Sequence, residues 1–181
     1  ANIFLNQKAE DTLVVGSQCS DLIRKAYGDD LKQTVLIADT MDVPMDWAMR
    51  IPGEHNRYDA ACALVAARAF GVEDAASRLA IEAFRGVPGR LEFVRDVNGV
   101  KVYNDTNSTT PEATIAALKA LDAGDKNIVL IMGGADKDLD MAPLLVEMPQ
   151  RAKRVIMLAG TGTSRVLQWL PEASVYDSLE A

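Results

Sequence analysis

Short apolar runs alternate with longer amphipathic stretches along this chain, a pattern that predicts strands interleaved with helices. Residues 11–15 (Asp-Thr-Leu-Val-Val) and 34–38 (Thr-Val-Leu-Ile-Ala) read as short strands. Between them, residues 20–27 place Leu22, Ile23 and Ala26 on one helical face, with Ser17 as the cap and Gly28 as the stop. A loop holding Pro44 and Pro52 follows. An alanine-rich helix then runs from Gly-Glu-His-Asn (53–56) to Phe70 and ends at Gly71, its alanines suited to close packing against another backbone. A second helix, 72–84, puts Ala76, Leu79, Ala80 and Ala83 on its apolar face. Glu73 and Asp74 fall in its first turn, where the helix dipole favours acidic groups.

Gly-Val-Pro-Gly at 86–89 breaks both periodicities and marks a boundary and a candidate hinge. After it, two alternating segments, 90–97 and 100–104, flank Asn98-Gly99, which predicts a hairpin closed by a type I′ turn. Helices 111–121, 141–148 and 163–170 then alternate with strands 127–132, 154–159 and 174–176. Strands joined through helices imply right-handed crossovers and a mainly parallel sheet, so the fold class is α/β. Ligands of such sheets sit at the carboxyl ends of strands. Polar clusters follow three predicted strand ends, at 104–110, 133–137 and 160–164.

Composition adds limits to this picture. Hydrophobic residues make up 49% of the 181 and charged residues 25%, which suits a globular chain of one large domain or two small ones. A formal net charge of -7 argues against non-specific nucleic-acid binding, which needs a basic face. Small anions remain compatible, since a local Lys and backbone N–H groups can hold them within an acidic protein. Cys19 and Cys62 form neither a metal pattern nor a disulfide pattern, and a reduced, cytoplasmic setting is the simplest reading. No apolar run approaches the roughly 18 residues of a membrane span, and no signal peptide is visible. The ends read as cut: Ala1 is not preceded by an initiating Met, and the final Ser-Leu-Glu-Ala resembles the first turn of a helix. A piece of a longer protein is expected.

Several clusters carry candidate chemistry. In Gly-Val-Lys-Val-Tyr-Asn-Asp-Thr-Asn-Ser-Thr-Thr-Pro (99–111) an alternating strand gives way to short polar side chains at a helix start. Asp105 there is suited to holding a hydroxyl or a metal, and free N–H groups at the helix start attract anions. The plainer reading is that Thr109 or Thr110 caps the helix and Asp105 fixes the turn. Gly-Gly-Ala-Asp-Lys-Asp (133–138) follows an apolar strand and would present the Lys137 ammonium to a carboxylate or phosphate, or form a solvated loop. Gly-Thr-Gly-Thr (160–163) matches neither the phosphate-binding loop nor the dinucleotide fingerprint and reads as an ordinary turn and cap. His55, the sole histidine, has no second His or Cys in a metal pattern and reads as a structural group. Asn56 and Asp59, three apart on one helical face, are both able to bond a base edge.

Taken together, Gly-Glu-His-Asn (53–56), Pro-Gly-Arg (88–90), Tyr-Asn-Asp-Thr-Asn-Ser-Thr-Thr-Pro-Glu-Ala-Thr (103–114) and Gly-Gly-Ala-Asp-Lys (133–137) resemble the Mur ligase family, most of all its D-glutamate-adding branch. The resemblance implies that residues 1–87 are the tail of a central ATPase domain. Residues 88–181 would be most of a Rossmann-like C-terminal domain that brings the incoming amino acid. It implies ATP and Mg2+ as cofactors, with the phosphate loop and metal ligands upstream of this sequence, so that these residues alone are expected to be inactive. UDP-N-acetylmuramoyl-L-alanine and D-glutamate are the implied substrates, in a cytoplasmic enzyme that is monomeric at full length. Asn56, helped by Asp59, would hold adenine. Arg90 and Asp105 would fix the ribose and phosphate region of ATP. Thr109 and Lys137 would hold D-glutamate, and none of these groups is a nucleophile.

Three positions depart from the branch's pattern: Asp59 where it carries Asn, Gly89 where a His often precedes the Arg, and Asn107 where a Lys is common. Two other readings stay open: a stand-alone nucleotide-binding α/β module without catalysis, and a ligase like the folylpolyglutamate synthases.

Overall fold

The computed structural model describes residues 2–180 and divides into two compact units, Ala1–Gly86 and Val87–Ala181. The first unit begins with a short helix, α1 (Asn2–Leu5), and holds two parallel strands, β1 (Thr12–Gly16) and β2 (Thr34–Ala38), in register from Thr12↔Thr34 to Gly16↔Ala38. Helix α2 (Ser17–Tyr27) makes the crossover between them. The long helix α3 (Glu54–Ala69) packs on both strands, and α4 (Asp74–Ala83) follows. Alanines permit this close approach: Ala61 is fully buried beside Leu64, Val43 and Trp47 in the first core. Arg68 grips the Asp74 carboxylate with two N–H groups, both at 2.8 Å, which ties the end of α3 to the start of α4.

Two sequence expectations are corrected in this unit, the Ser17 cap and the packed face of α4. Ser17 does not cap α2; it is the first helical residue, and its hydroxyl donates to Asp39 Oδ2 at 2.5 Å. The α-helix does end at Tyr27 with Gly28 as its stop, as expected; Gly28 has φ -54°, and a 3-10 turn, Gly28–Asp30, follows. The alanine face of α4 is not its packed face. Leu79 is 71% exposed, and Ser77 and Ile81 turn inward instead. Polar contacts set that rotation: Arg78 pairs with Asp46 at 3.0 Å, Ala48 N–H donates to Glu82, and Arg50 Nε donates to the Glu82 carbonyl.

The second unit opens with an antiparallel hairpin, β3 (Glu92–Val97) and β4 (Val100–Asn104), bulged between Phe93 and Arg95. Asn98 (φ 53°) and Gly99 (φ 84°) supply the two positive φ angles that a type I′ turn requires. Helix α5 (Pro111–Leu121) starts with Pro at its first position, where a missing N–H does no harm. Then come β5 (Ile128–Gly133), α6 (Ala142–Arg151), β6 (Ala152–Leu158), α7 (Thr161–Val166) and β7 (Ser174–Tyr176). The strands form a parallel sheet in the order β5-β6-β7. Alternation along β5 sends Ile128, Leu130 and Met132 to the second core, with Leu118 of α5 and Leu144 and Met148 of α6. Ion pairs join the two helices: Arg151 of α6 reaches Asp122, just after α5, at 2.8 Å, and Lys119 of α5 reaches Glu147 of α6 at 3.3 Å.

Candidate functional site

The parallel strands β5 and β6 end side by side, Gly133 opposite Leu158, and a glycine-rich segment leaves each end. A Cβ on Gly133 would lie 2.6 Å from the Leu158 carbonyl oxygen, so only glycine keeps these strands at their spacing. The segment after β6 crosses the one after β5. Gly162 N–H donates to the Gly134 carbonyl at 3.0 Å, and a Cβ on Gly160 would stand 2.6 Å from that oxygen. Thr161 Oγ1 accepts from Asp136 N–H at 2.9 Å. Arg165, on α7, donates to Asp136 Oδ1 at 2.7 Å and lies 3.4 Å from Asp138. This pairing holds the Asp136 carboxyl below the usual carboxylate range and raises Arg165 further. Lys137, between the two aspartates, is exposed and makes no ion pair among the described residues.

The run 160–163 is therefore more than the ordinary turn and cap its sequence suggested. Gly160, at the helix start, has no side-chain cap bond. Thr163 instead donates to the Leu158 carbonyl at 2.5 Å, and Thr161 serves the neighbouring loop. The sequence signal for this role was positional: both glycine runs follow the ends of adjacent parallel strands.

A second polar assembly lies where β4 ends. Asp105 is half-buried with both oxygens engaged. Oδ1 accepts from Leu91 N–H at 2.8 Å, and Oδ2 accepts from the Ser108 hydroxyl. The first bond fixes Leu91 at φ 43°, a left-handed conformation that a branched side chain rarely adopts. Leu91 is nonetheless 4% exposed, so burial of its side chain also holds the turn. Asn107 completes the assembly: its N–H donates to the Gly89 carbonyl at 2.9 Å and its amide to the Pro88 carbonyl at 3.0 Å. Gly89, at φ 73°, leaves no room for a Cβ, which would meet Asn107 Nδ2 at 2.8 Å. The two departures noted above, Gly89 and Asn107, thus pack against each other. Arg90 projects from this clamped turn with an exposed side chain. Of the two cap candidates, Thr110 holds the α5 start, accepting from Ala113 N–H at 3.3 Å, while Thr109 is exposed just before it.

In the first unit, Asn56 and Asp59 share a face of α3. Asn56 Nδ2 donates to the Pro52 carbonyl at 2.6 Å, which joins the helix start to the preceding loop; Asp59 is exposed. Between them, Tyr58 reaches the end of β1, where its hydroxyl accepts from Gln18 N–H at 3.1 Å. The structure therefore joins Asp105 to the turn bearing Arg90, with Thr109 on the same segment. It ties Asp136, next to Lys137, to Thr161 and Arg165. It keeps Asn56 and Asp59 in their own unit. Among the described residues, no group of three or more His, Cys, Asp and Glu is placed to hold a metal ion.

Residues 89–175 match the family described as Mur ligase, glutamate ligase domain. This match falls wholly within the second unit, 87–181, which is a domain of Mur ligase type. A Roseiflexus sp. protein named UDP-N-acetylmuramoylalanine--D-glutamate ligase is 44% identical over 118 residues, 65% of this chain and 25% of that protein. A Xanthomonas axonopodis protein named UDP-N-acetylmuramoyl-L-alanine--L-glutamate ligase is 37% identical over 130 residues, 72% of this chain and 26% of that protein. The chain thus spans about a quarter of the length of these Mur ligases. In fold, it is similar to MurF from Acinetobacter baumannii (TM-score 0.71, 17% identity, 97% of this chain and 44% of that one). It is similar also to a folylpolyglutamate synthase from Mycobacterium tuberculosis (TM-score 0.70, 16% identity, 93% of this chain and 45% of that one). The α/β class with a parallel sheet, expected from the spacing of strands and helices, is the observed one. No helix among the described residues is long and apolar enough to cross a membrane.

Proposed function

We propose that this chain is part of a cytoplasmic, ATP-dependent ligase that joins D-glutamate to UDP-N-acetylmuramoyl-L-alanine during synthesis of a peptidoglycan precursor. In this reading the units at 1–86 and 87–181 are the tail of a central ATPase domain and a C-terminal amino-acid domain, in an enzyme that is monomeric at full length. ATP phosphorylates the carboxylate of the nucleotide-linked substrate. The amine of D-glutamate attacks that acyl phosphate, and the tetrahedral intermediate expels phosphate. The residues here supply no nucleophile; they orient two substrates, so their effect is proximity and charge. They also hold no phosphate loop, and on their own the 181 residues are expected to release no phosphate from ATP. Among the described residues no group of three or more His, Cys, Asp and Glu is placed to hold Mg2+, and the steps assigned to these residues do not pass through it.

The observation that carries this reading is Lys137, an exposed ammonium on a rigid glycine loop at the carboxyl end of a parallel strand. In this reading it pairs with a carboxylate of the incoming amino acid, with Thr109 donating a hydrogen bond. Asn56 keeps one amide N–H and its carbonyl for an adenine edge, and Asp59 accepts from the adenine amino group. Asp105 retains lone pairs beyond its two internal bonds and can accept from ribose hydroxyls, while Arg90 faces the phosphates.

The test is Lys137→Ala in the full-length enzyme. A lost charge-assisted bond of about 1.5–3 kcal/mol raises the KM for D-glutamate by roughly 10- to 150-fold, and that for ATP little. Equal effects on both substrates would sink the assignment. A second reading, L-glutamate as the amino acid, is favoured by the 37% identity to the Xanthomonas protein named for that reaction. Turnover with each enantiomer decides between them.

A further inference from the structure

The loop that presents Lys137 carries an unfavourable charge for its proposed task. Asp136 and Asp138 flank the lysine in sequence and Asp140 follows, so the loop carries three carboxylates and one ammonium. Left alone, they would repel an anionic amino acid and compete for the Lys137 ammonium. Arg165 answers both problems from the neighbouring helix. Its guanidinium donates to Asp136 Oδ1 at 2.7 Å and sits 3.4 Å from Asp138. Asp136 also accepts from Asp138 N–H at 2.9 Å, so its carboxylate braces the chain on the far side of Lys137. Thr161, four residues before Arg165, takes the Asp136 N–H, and Gly162 N–H holds the Gly134 carbonyl. Bonds thus fall on both sides of Lys137, and the lysine side chain is left out of them.

We propose that Arg165 is a positioning residue for the amino-acid site: it clamps the Lys137 loop through Asp136, and it offsets the charge of Asp136 and Asp138 so that the Lys137 ammonium meets the incoming carboxylate. The proposal rests on the reading that Lys137 binds that carboxylate. Arg165 touches no substrate in this scheme; it acts through the loop. The segment 160–165 is then a functional part of the domain, a support supplied by one strand end to the loop of the next.

The experiment compares Arg165→Ala, Arg165→Lys and Thr161→Val with Lys137→Ala in the full-length enzyme. Arg165→Ala is expected to raise the KM for D-glutamate roughly tenfold, within the range for partners in one hydrogen-bond network, with the KM for ATP unchanged. Arg165→Lys, which keeps the cation, is expected to recover most of that loss. Thr161→Val removes only the acceptor of Asp136 N–H from an exposed position and is expected to raise the same constant by less. If Arg165→Ala fails to fold, Thr161→Val decides alone. An unchanged KM for D-glutamate in both, or equal shifts for ATP and D-glutamate, overturns the proposal even where Lys137→Ala behaves as expected. Failure of Arg165→Lys to improve on Arg165→Ala overturns the charge argument. If Lys137→Ala itself leaves that KM unchanged, the amino-acid reading falls, and the role of Arg165 falls with it.

Discussion

At Gly16 a Cβ would lie 1.8 Å from the Tyr58 hydroxyl oxygen and 2.4 Å from the ring carbon bearing it. The aromatic ring occupies the place of a side chain, and its hydroxyl serves the start of α2. Gly16→Ala must push the ring aside, and overpacking of this kind costs about 1–3 kcal/mol. A fall of that size in the unfolding free energy extrapolated from urea, with a lower midpoint and loss of protection at the Gln18 amide in hydrogen exchange, is the expected outcome. An unchanged midpoint would mean that Tyr58 moves freely. Asp105 works similarly, as a residue whose side chain replaces backbone partners. Its sequence setting allowed a turn-fixing role or a ligand role, and the bonds to Leu91 and Ser108 show the first directly.

Among the elements, the α2 start and the end of β2 are joined through Asp39. Its carboxyl accepts from the Ser17 hydroxyl and the Met41 N–H, and these bonds, the Ser17 one first, hold it below the ordinary carboxylate range. Asp42 completes the turn by accepting from Asp39 N–H at 2.7 Å. A depressed folded-state value means the stabilisation is fully present above the unfolded carboxylate pKa of about 3.9 and fades as pH falls through the lower folded value. Asp39→Asn is therefore expected to reduce stability at pH 7 and to flatten its decline below about pH 4. Urea midpoints of both proteins at pH 7 and at low pH check this; parallel curves would contradict it. The rotation of α4 belongs to this scale too. Its alanine and leucine face was the better match to a helical stripe, yet the bonds of Arg78 and Glu82 to the 46–50 loop turned Ser77 and Ile81 inward.

For the whole molecule, each unit has its own core: Val43, Trp47, Ala61 and Leu64 in the first, and Leu118, Leu144 and Met148 in the second. Trp47 is 6% exposed and Trp169 is 56% exposed, so their fluorescence distinguishes the units. In a Trp169→Phe background, Leu64→Ala opens a cavity beside Trp47 and is expected to lower the stability read from that indole by about 2–5 kcal/mol. A loss well below that range would show that the first core closes around the gap.

The sequence by itself determined the order and type of nearly every element, because short apolar strands, capped helices and the Asn-Gly turn are local physics. Helix 111–121, strand 34–38 and strand 174–176 stand at their expected bounds. It also marked Asp105, Lys137 and their neighbours, since short polar runs after apolar strands are legible wherever they fall. Tertiary structure alone decided which groups meet. Arg165 lies 29 residues from Asp136, and the Leu91 amide lies 14 residues from Asp105. Such pairings follow from sheet order and crossover direction, which bring distant strand ends side by side. For that reason the 160–163 run looked like a common turn in one dimension and is the brace of the Lys137 loop in three.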